Sequence, residues 1–192
     1  RGPGFINDQL LGCTFRISAG SFYQVNPIQT EKLYSQALQM AELSGTDSVL
    51  DAYCGTGTIG ILAAKAAKTV IGVELNRQAE QDAIINAKIN QVQNIRFVCD
   101  DAGKFLQKAA AKNEVPEVVI MDPPRAGSDE AFLSALVYAS PKKVVYISCN
   151  PETQARDVRY LTKHGYKITK MQPVDLFPNT DHVENVCLLI KS

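Results

Sequence analysis

From Gly45 onward the chain alternates short apolar runs with stretches of helical periodicity, and no other feature limits its fold as strongly. Strands are expected over 48–52, 69–74, 95–99, 118–121, 144–148, 167–174 and 186–190. Helices are expected between them over 59–67, 77–91, 103–112, 129–139 and 152–164. Units of this length close with right-handed crossovers into a mostly parallel sheet covered by helices on both faces. Ahead of this core, after a short alternating segment at 14–17, Asn26-Pro27 pairs an N-cap with proline at the first helical position. The helix it opens should run over 27–42, with Leu33, Ala37, Leu38 and Ala41 on one apolar face. Residues 1–44 thus read as a lead-in segment and helix, and 45–192 as the α/β core.

The 192 residues suffice for one domain of ordinary size. With 45% hydrophobic and 21% charged residues, a wholly disordered chain is excluded. Lys+Arg and Asp+Glu balance at 20 each, so attraction to a polyanion would need a local patch or another domain. No stretch approaches the roughly eighteen apolar residues of a spanning helix, and no signal-peptide core opens the chain. The expectation is a cytoplasmic protein without membrane contact. Cys13, Cys54, Cys99, Cys149 and Cys187 are odd in number, far apart and free of CxxC pairs, so neither disulfides nor a metal site is expected. Arg1, Gly2, Pro3 and Gly4 read as a linker, and the chain as a fragment of a longer protein.

In a parallel sheet ligands sit beyond the carboxyl ends of the strands, and the unusual residues cluster there. The first core strand leads into Asp51-Ala52-Tyr53-Cys54-Gly55-Thr56-Gly57-Thr58-Ile59-Gly60, a glycine-rich turn opening a helix. The second ends in Gly72-Val73-Glu74, whose acid is placed to accept from two ribose hydroxyls. A dinucleotide such as NAD and S-adenosylmethionine (SAM) both fit. Asp51 favours SAM, because a carboxylate there suits an ammonium group better than pyrophosphate, although it could instead brace the loop. Asp100-Asp101 could hold an adenine amino group, or one of the two could be solvated.

The fourth core strand delivers Asp122-Pro123-Pro124-Arg125, a stiff loop that aims a carboxylate into the cleft. Arg125 could bind phosphate or make a surface ion pair. The fifth delivers Ser148-Cys149-Asn150-Pro151, which puts Cys149 at a helix N-terminus, where the dipole favours thiolate. Cys13, Cys99 and Cys187 fit the role of small buried hydrophobes better, and Cys54 is the second choice as a reactive thiol. Glu184, beside the last strand, is a candidate general base with His182 as competitor. Arg156, Arg159 and Lys163 share one helical face and could meet phosphate or merely solvent.

Together these stretches resemble the RNA uracil-5-methyltransferase family, SAM-dependent enzymes that make 5-methyluridine. The matches are Phe22-Tyr23-Gln24-Val25-Asn26, Asp51 to Gly57, Gly72-Val73-Glu74, Asp122-Pro123-Pro124-Arg125, Ser148-Cys149-Asn150-Pro151 and His182-Val183-Glu184. The resemblance implies a Rossmann-like SAM-dependent methyltransferase fold, with 45–192 as its core. It also implies cofactor contacts at Gln24, Tyr53, Glu74 and Asp122, with Thr58 and Asp101 following. At Thr58 the family often carries Asn. It further implies Cys149 as nucleophile and Glu184 as proton acceptor. The ending Asp175-Leu176-Phe177-Pro178 through Glu184 looks more like members that act on 23S ribosomal RNA than on transfer RNA. Members usually carry an RNA-binding β-barrel and a central region, sometimes with iron–sulfur cysteines, ahead of this part.

Two other enzymes remain as alternatives. RNA cytosine-5-methyltransferases carry a second cysteine in the Asp-x-Pro-Pro loop, where this chain has Arg125. An NAD-dependent oxidoreductase would share only the glycine turn and the acid.

Overall fold

The computed structural model describes residue 2 and residues 4–192; Arg1 and Pro3 of the expected linker lie outside the described residues. The chain opens with an antiparallel hairpin, β1 (Phe5–Leu10) and β2 (Cys13–Ser18), absent from the expectations beyond the alternation at 14–17. Its two-residue connection, Leu11-Gly12, has φ of 49° and 73°, the positive pair that lets a tight turn follow the strand twist. Helix α1 (Pro27–Ala41) follows, capped by Asn26, whose side chain accepts from the Gln29 amide.

Seven strands form one sheet: β3 (Ser48–Ala52), β4 (Thr69–Glu74), β5 (Ile95–Cys99), β6 (Val118–Met121), β7 (Lys143–Ser148), β8 (Tyr166–Val174) and β9 (Glu184–Lys191). Their order is β5-β4-β3-β6-β7-β9-β8, and β9 alone runs against its neighbours β7 and β8. This is the expected α/β sheet, mostly parallel, with the strand order reversing between β3 and β6. Central strands are buried on both faces, which is why they read as continuous apolar runs.

Helices α2 (Thr58–Ala63), α3 (Arg77–Ile89), α4 (Ala102–Ala111), α5 (Glu130–Ala139) and α6 (Pro151–Lys163) supply the crossovers. Along the strands alternate residues enter opposite cores. Val49, Val118, Ile120 and Val145 pack with α1 and α2, while Leu50, Val119, Met121 and Tyr146 pack with α4, α5 and α6.

The hairpin is fastened by three polar residues four apart, two on α3 and the third, Asn90, at its C-cap. Asp82 accepts from the Ser18 amide at 3.0 Å and the Ser18 hydroxyl at 2.8 Å. Asn86 exchanges hydrogen bonds with both backbone groups of Arg16, and Asn90 with both of Thr14. Four helical residues advance about 6 Å and two strand residues about 6.8 Å, so the side-chain ladder keeps step with the strand edge.

Candidate active site

The candidate cofactor side is built on the turn between β3 and α2. Gly57, at φ 82°, would place a Cβ 2.8 Å from the Phe97 ring and 2.9 Å from Ala83, so the turn requires glycine there. A Cβ on Gly55 would meet nothing within 4 Å, leaving backbone open to a ligand. Tyr53 holds a left-handed conformation at φ 63°, unusual for a bulky residue and typical of a constrained site. Its ring lies 5.2 Å from that of Phe132, and burial pushes its phenol up to about 12.

The Glu74 carboxylate is oriented by the amides of Gly55 at 2.9 Å and Asn76 at 2.7 Å. Each oxygen keeps capacity for a further donor, which suits a ribose diol. Asp101 caps α4 by accepting from the Lys104 amide, while Asp100 pairs on the surface with Lys108 at 2.7 Å. Thr58 is buried at the start of α2 with its hydroxyl 3.3 Å from that of Thr56.

Asp51 is engaged at one carboxylate oxygen. Buried, it accepts from the Gly60 amide at 2.8 Å and so braces α2. Burial raises its carboxyl to about 7, with the Gly60 amide opposing and Glu74 adding to the rise. The residue that favoured SAM over a dinucleotide in the sequence therefore has a structural duty. Gln24 sits in the loop between β2 and α1, against Tyr34. The Tyr34 phenol is pushed well above its ordinary value by burial and by Asp122 and Asp51, with Gln24 pulling it back.

On the reactive side, the β7–β9 ladder places the two candidate groups together. Ser148 pairs with Asn185, and continuing that antiparallel register by one residue brings Cys149 opposite Glu184. Asn150 caps α6 by accepting from the Glu152 amide at 3.1 Å, with Pro151 at the first helical position, as expected. The expected thiolate bias of Cys149 is absent. Burial, then Glu184 and Asp122, raise its thiol, and Arg125 and its own amide only partly oppose them. Burial of the thiol is the largest cause, and the two acidic neighbours add to it.

Glu184 is 3% exposed, and burial lifts its carboxyl to about 7, with Arg125 opposing. Asp122 is pushed well above the carboxylate range by burial, Glu184 and Asp51. Asp122, Arg125, Cys149 and Glu184 thus form one electrostatic cluster. The exposed His182 stands outside it, with Nδ1 3.4 Å from the Arg125 guanidinium. Among the described residues Arg125 makes no ion pair.

Several supporting residues escaped the sequence reasoning. Asn185 donates to Gln154 at 2.6 Å, and Gln154 donates to the carbonyls of Tyr146 and Asn185, which fastens the start of β9 beside Cys149. The Asn-Pro signal after Cys149 marked the helix but not this cross-link. Cys13, Cys54 and Cys187 are buried, while Cys99 is exposed, so Cys99 is not the buried hydrophobe expected. The Cys54 thiol is pushed well up by burial and then by Asp51 and Glu74, which disfavours it as a nucleophile. Arg156 is engaged with backbone carbonyls rather than free for phosphate, whereas Arg159 and Lys163 are exposed.

Residues 6–192 match the profile of the tRNA (Uracil-5-)-methyltransferase family. The chain belongs to this family. An uncharacterized RNA methyltransferase of Listeria innocua is 50% identical over 188 residues, covering 98% of the chain. One of Streptococcus mutans is 47% identical over 191 residues, covering 100%. The chain spans 42% of the length of each. The crystal structure of the Pyrococcus abyssi tRNA (uracil-54, C5)-methyltransferase, solved with S-adenosyl-L-homocysteine, matches with a TM-score of 0.83 at 35% identity. That match covers 99% of this chain and 45% of the other. The fold of this uracil-5-methyltransferase family member is that of SAM-dependent methyltransferases.

Proposed function

We propose that the protein methylates C5 of uridine in RNA, with SAM as methyl donor. The observation that supports this is the β7–β9 register, whose continuation by one residue sets Cys149 opposite Glu184, a buried carboxyl pushed up to about 7. Glu74, Asp101, Tyr53, Thr58, Gln24 and Asp122 are the residues we assign to the cofactor. The half-free Glu74 carboxylate and the open backbone at Gly55 fit its ribose and its close approach. SAM supplies an electrophilic methyl group on a sulfonium.

Uracil C5 is too weak a nucleophile to take that methyl unaided. Addition of the Cys149 thiolate to C6 turns the ring into an enolate with carbanion character at C5. The methylated adduct still holds its original C5 hydrogen. Glu184 removes it as a proton, and the electron pair left behind restores the C5–C6 double bond as the cysteine leaves. Its elevated carboxyl value matches a base working near neutrality, and its burial keeps competing water away. Reaching C6 requires the uridine to leave its stack and enter the cleft.

We assign ribosomal RNA, of the 23S type, as substrate from the Asp175 to Glu184 ending. Transfer RNA is the second reading, favoured by the Pyrococcus enzyme's substrate. The site of action is then the cytoplasm; among the described residues no helix is long and apolar enough to cross a membrane. Much of the RNA grip is assigned to parts of the longer protein outside these residues.

Methyl-labelled SAM and candidate RNAs, followed by nucleoside digestion, test the reading. It predicts 5-methyluridine as the labelled product. Label in 5-methylcytidine, or none with any RNA while NAD binds, would overturn it.

A further inference from the structure

The first two turns of α6 grip the segment that carries Arg125. We propose that Arg156 and Asp157 are positioning residues for the reaction, setting where the Arg125 guanidinium stands beside Cys149 and Glu184. The proposal rests on Cys149 being the nucleophile. Asp157 is fully buried, and its Oδ2 accepts from the Ser128 amide at 2.8 Å and the Tyr146 hydroxyl at 2.7 Å. Its Oδ1 accepts from Arg156 Nε at 2.8 Å. Arg156 Nη2 then reaches the carbonyls of Ala126 and Ser128, each at 3.0 Å. The Arg125 carbonyl itself accepts from the Thr153 hydroxyl at 3.2 Å and the Asn150 amide group at 3.3 Å.

Between these contacts lies Gly127 at φ 78°. A Cβ there would stand 2.7 Å from both Arg156 Nη2 and Asp157 Oδ2, so the grip closes around a position only glycine fills. A buried carboxylate is tolerated only with its hydrogen bonds complete, which makes the arrangement stiff. It also reaches the cofactor side, because the Tyr53 hydroxyl donates to Ser128 Oγ at 3.4 Å.

The position of Arg125 matters because of what faces Cys149. Asp122 at the end of β6 and Glu184 at the start of β9 are acidic groups that oppose the thiolate, and Arg125 is the positive side chain acting against them. His182, on the loop before β9, touches Arg125. If residues 125–128 slip, the thiol faces two carboxylates with its counter-charge displaced.

The test measures peptide-resolved alkylation of Cys149 by iodoacetamide against pH, with single-turnover methyl transfer alongside. The proteins are the full-length wild type, Arg156→Ala, Arg125→Ala and the double variant. Arg156→Ala should move the alkylation midpoint upward by about half a pH unit or more and lower the melting temperature, since Asp157 loses a partner, while SAM affinity stays near wild type. Methyl transfer should slow by about tenfold. In the Arg125→Ala background the same change should add nothing, since the effect passes through Arg125. Thr153→Val, which removes one bond to the Arg125 carbonyl, should give a smaller shift of the same sign and serves if Arg156→Ala unfolds. Unchanged midpoints in both variants, or effects that add in full to Arg125→Ala, would overturn the proposal. A wild type with no methyl transfer would instead overturn the functional reading.

Discussion

Cys149 and Glu184 each hold their proton more tightly than an isolated side chain does, and in the roles proposed for them both must lose it. Single-turnover release of 5-methyluridine should therefore climb as pH rises through about 7, where Glu184 ionises, and continue upward as Cys149 does. A rate that falls over this range would contradict these roles. Glu184 also affects stability. Its folded value of about 7 lies above the ordinary 4.5, so its contribution is complete below 4.5 and is lost as pH rises through 7. Glu184→Gln should consequently be the more stable protein above neutrality, by roughly 3 kcal/mol from the size of the shift, and equal to wild type in acid. Urea unfolding at both pH values checks this. The same variant should stall with cysteine bound to uridine.

At the scale of elements, the α3 ladder carries a prediction of its own. Asp82 accepts from the Ser18 amide and hydroxyl and from the Ser21 hydroxyl at 2.9 Å, so it anchors the loop that leads to Gln24. Asp82→Ala should cost about 3 kcal/mol in unfolding free energy and speed amide exchange at Ser18, with SAM affinity falling as Gln24 loosens. The core elements were legible because β3, β6 and β7 are buried on both faces and because Asn26-Pro27 and Asn150-Pro151 announce helices. Strand β1 was not, since only Leu10 of its six residues is buried and no alternation results. Helix α2 ends at Ala63 rather than 67 because the Lys65 and Ala66 amides turn back three residues, Ala66 donating to the Ala63 carbonyl at 3.0 Å. The Cys149 environment was illegible for a different reason. It depends on the register of β7 against β9, which brings in a carboxyl from far along the chain.

Across the whole molecule, the strand reversal between β3 and β6 separates the proposed cofactor residues from the proposed reactive pair, and Tyr53, Ser128 and Asp157 join the two sides by hydrogen bonds. A groove of about 590 Å³ between α6, β8 and β9 begins at Pro151 and Val183, next to the reactive pair. Because Glu74, Asp101 and Gln24 all lie within this chain, SAM alone should raise its melting temperature and NAD should not. A shift with NAD only would contradict the cofactor assignment. The central claim is a transient bond between Cys149 sulfur and uracil C6. Incubation with SAM and RNA containing 5-fluorouridine tests it most directly, since fluorine at C5 cannot leave as a proton. A denaturation-resistant protein–RNA adduct should form, map to Cys149 and vanish in Cys149→Ala. Methylation of ordinary RNA with no such adduct, or an adduct surviving in Cys149→Ala, would contradict it.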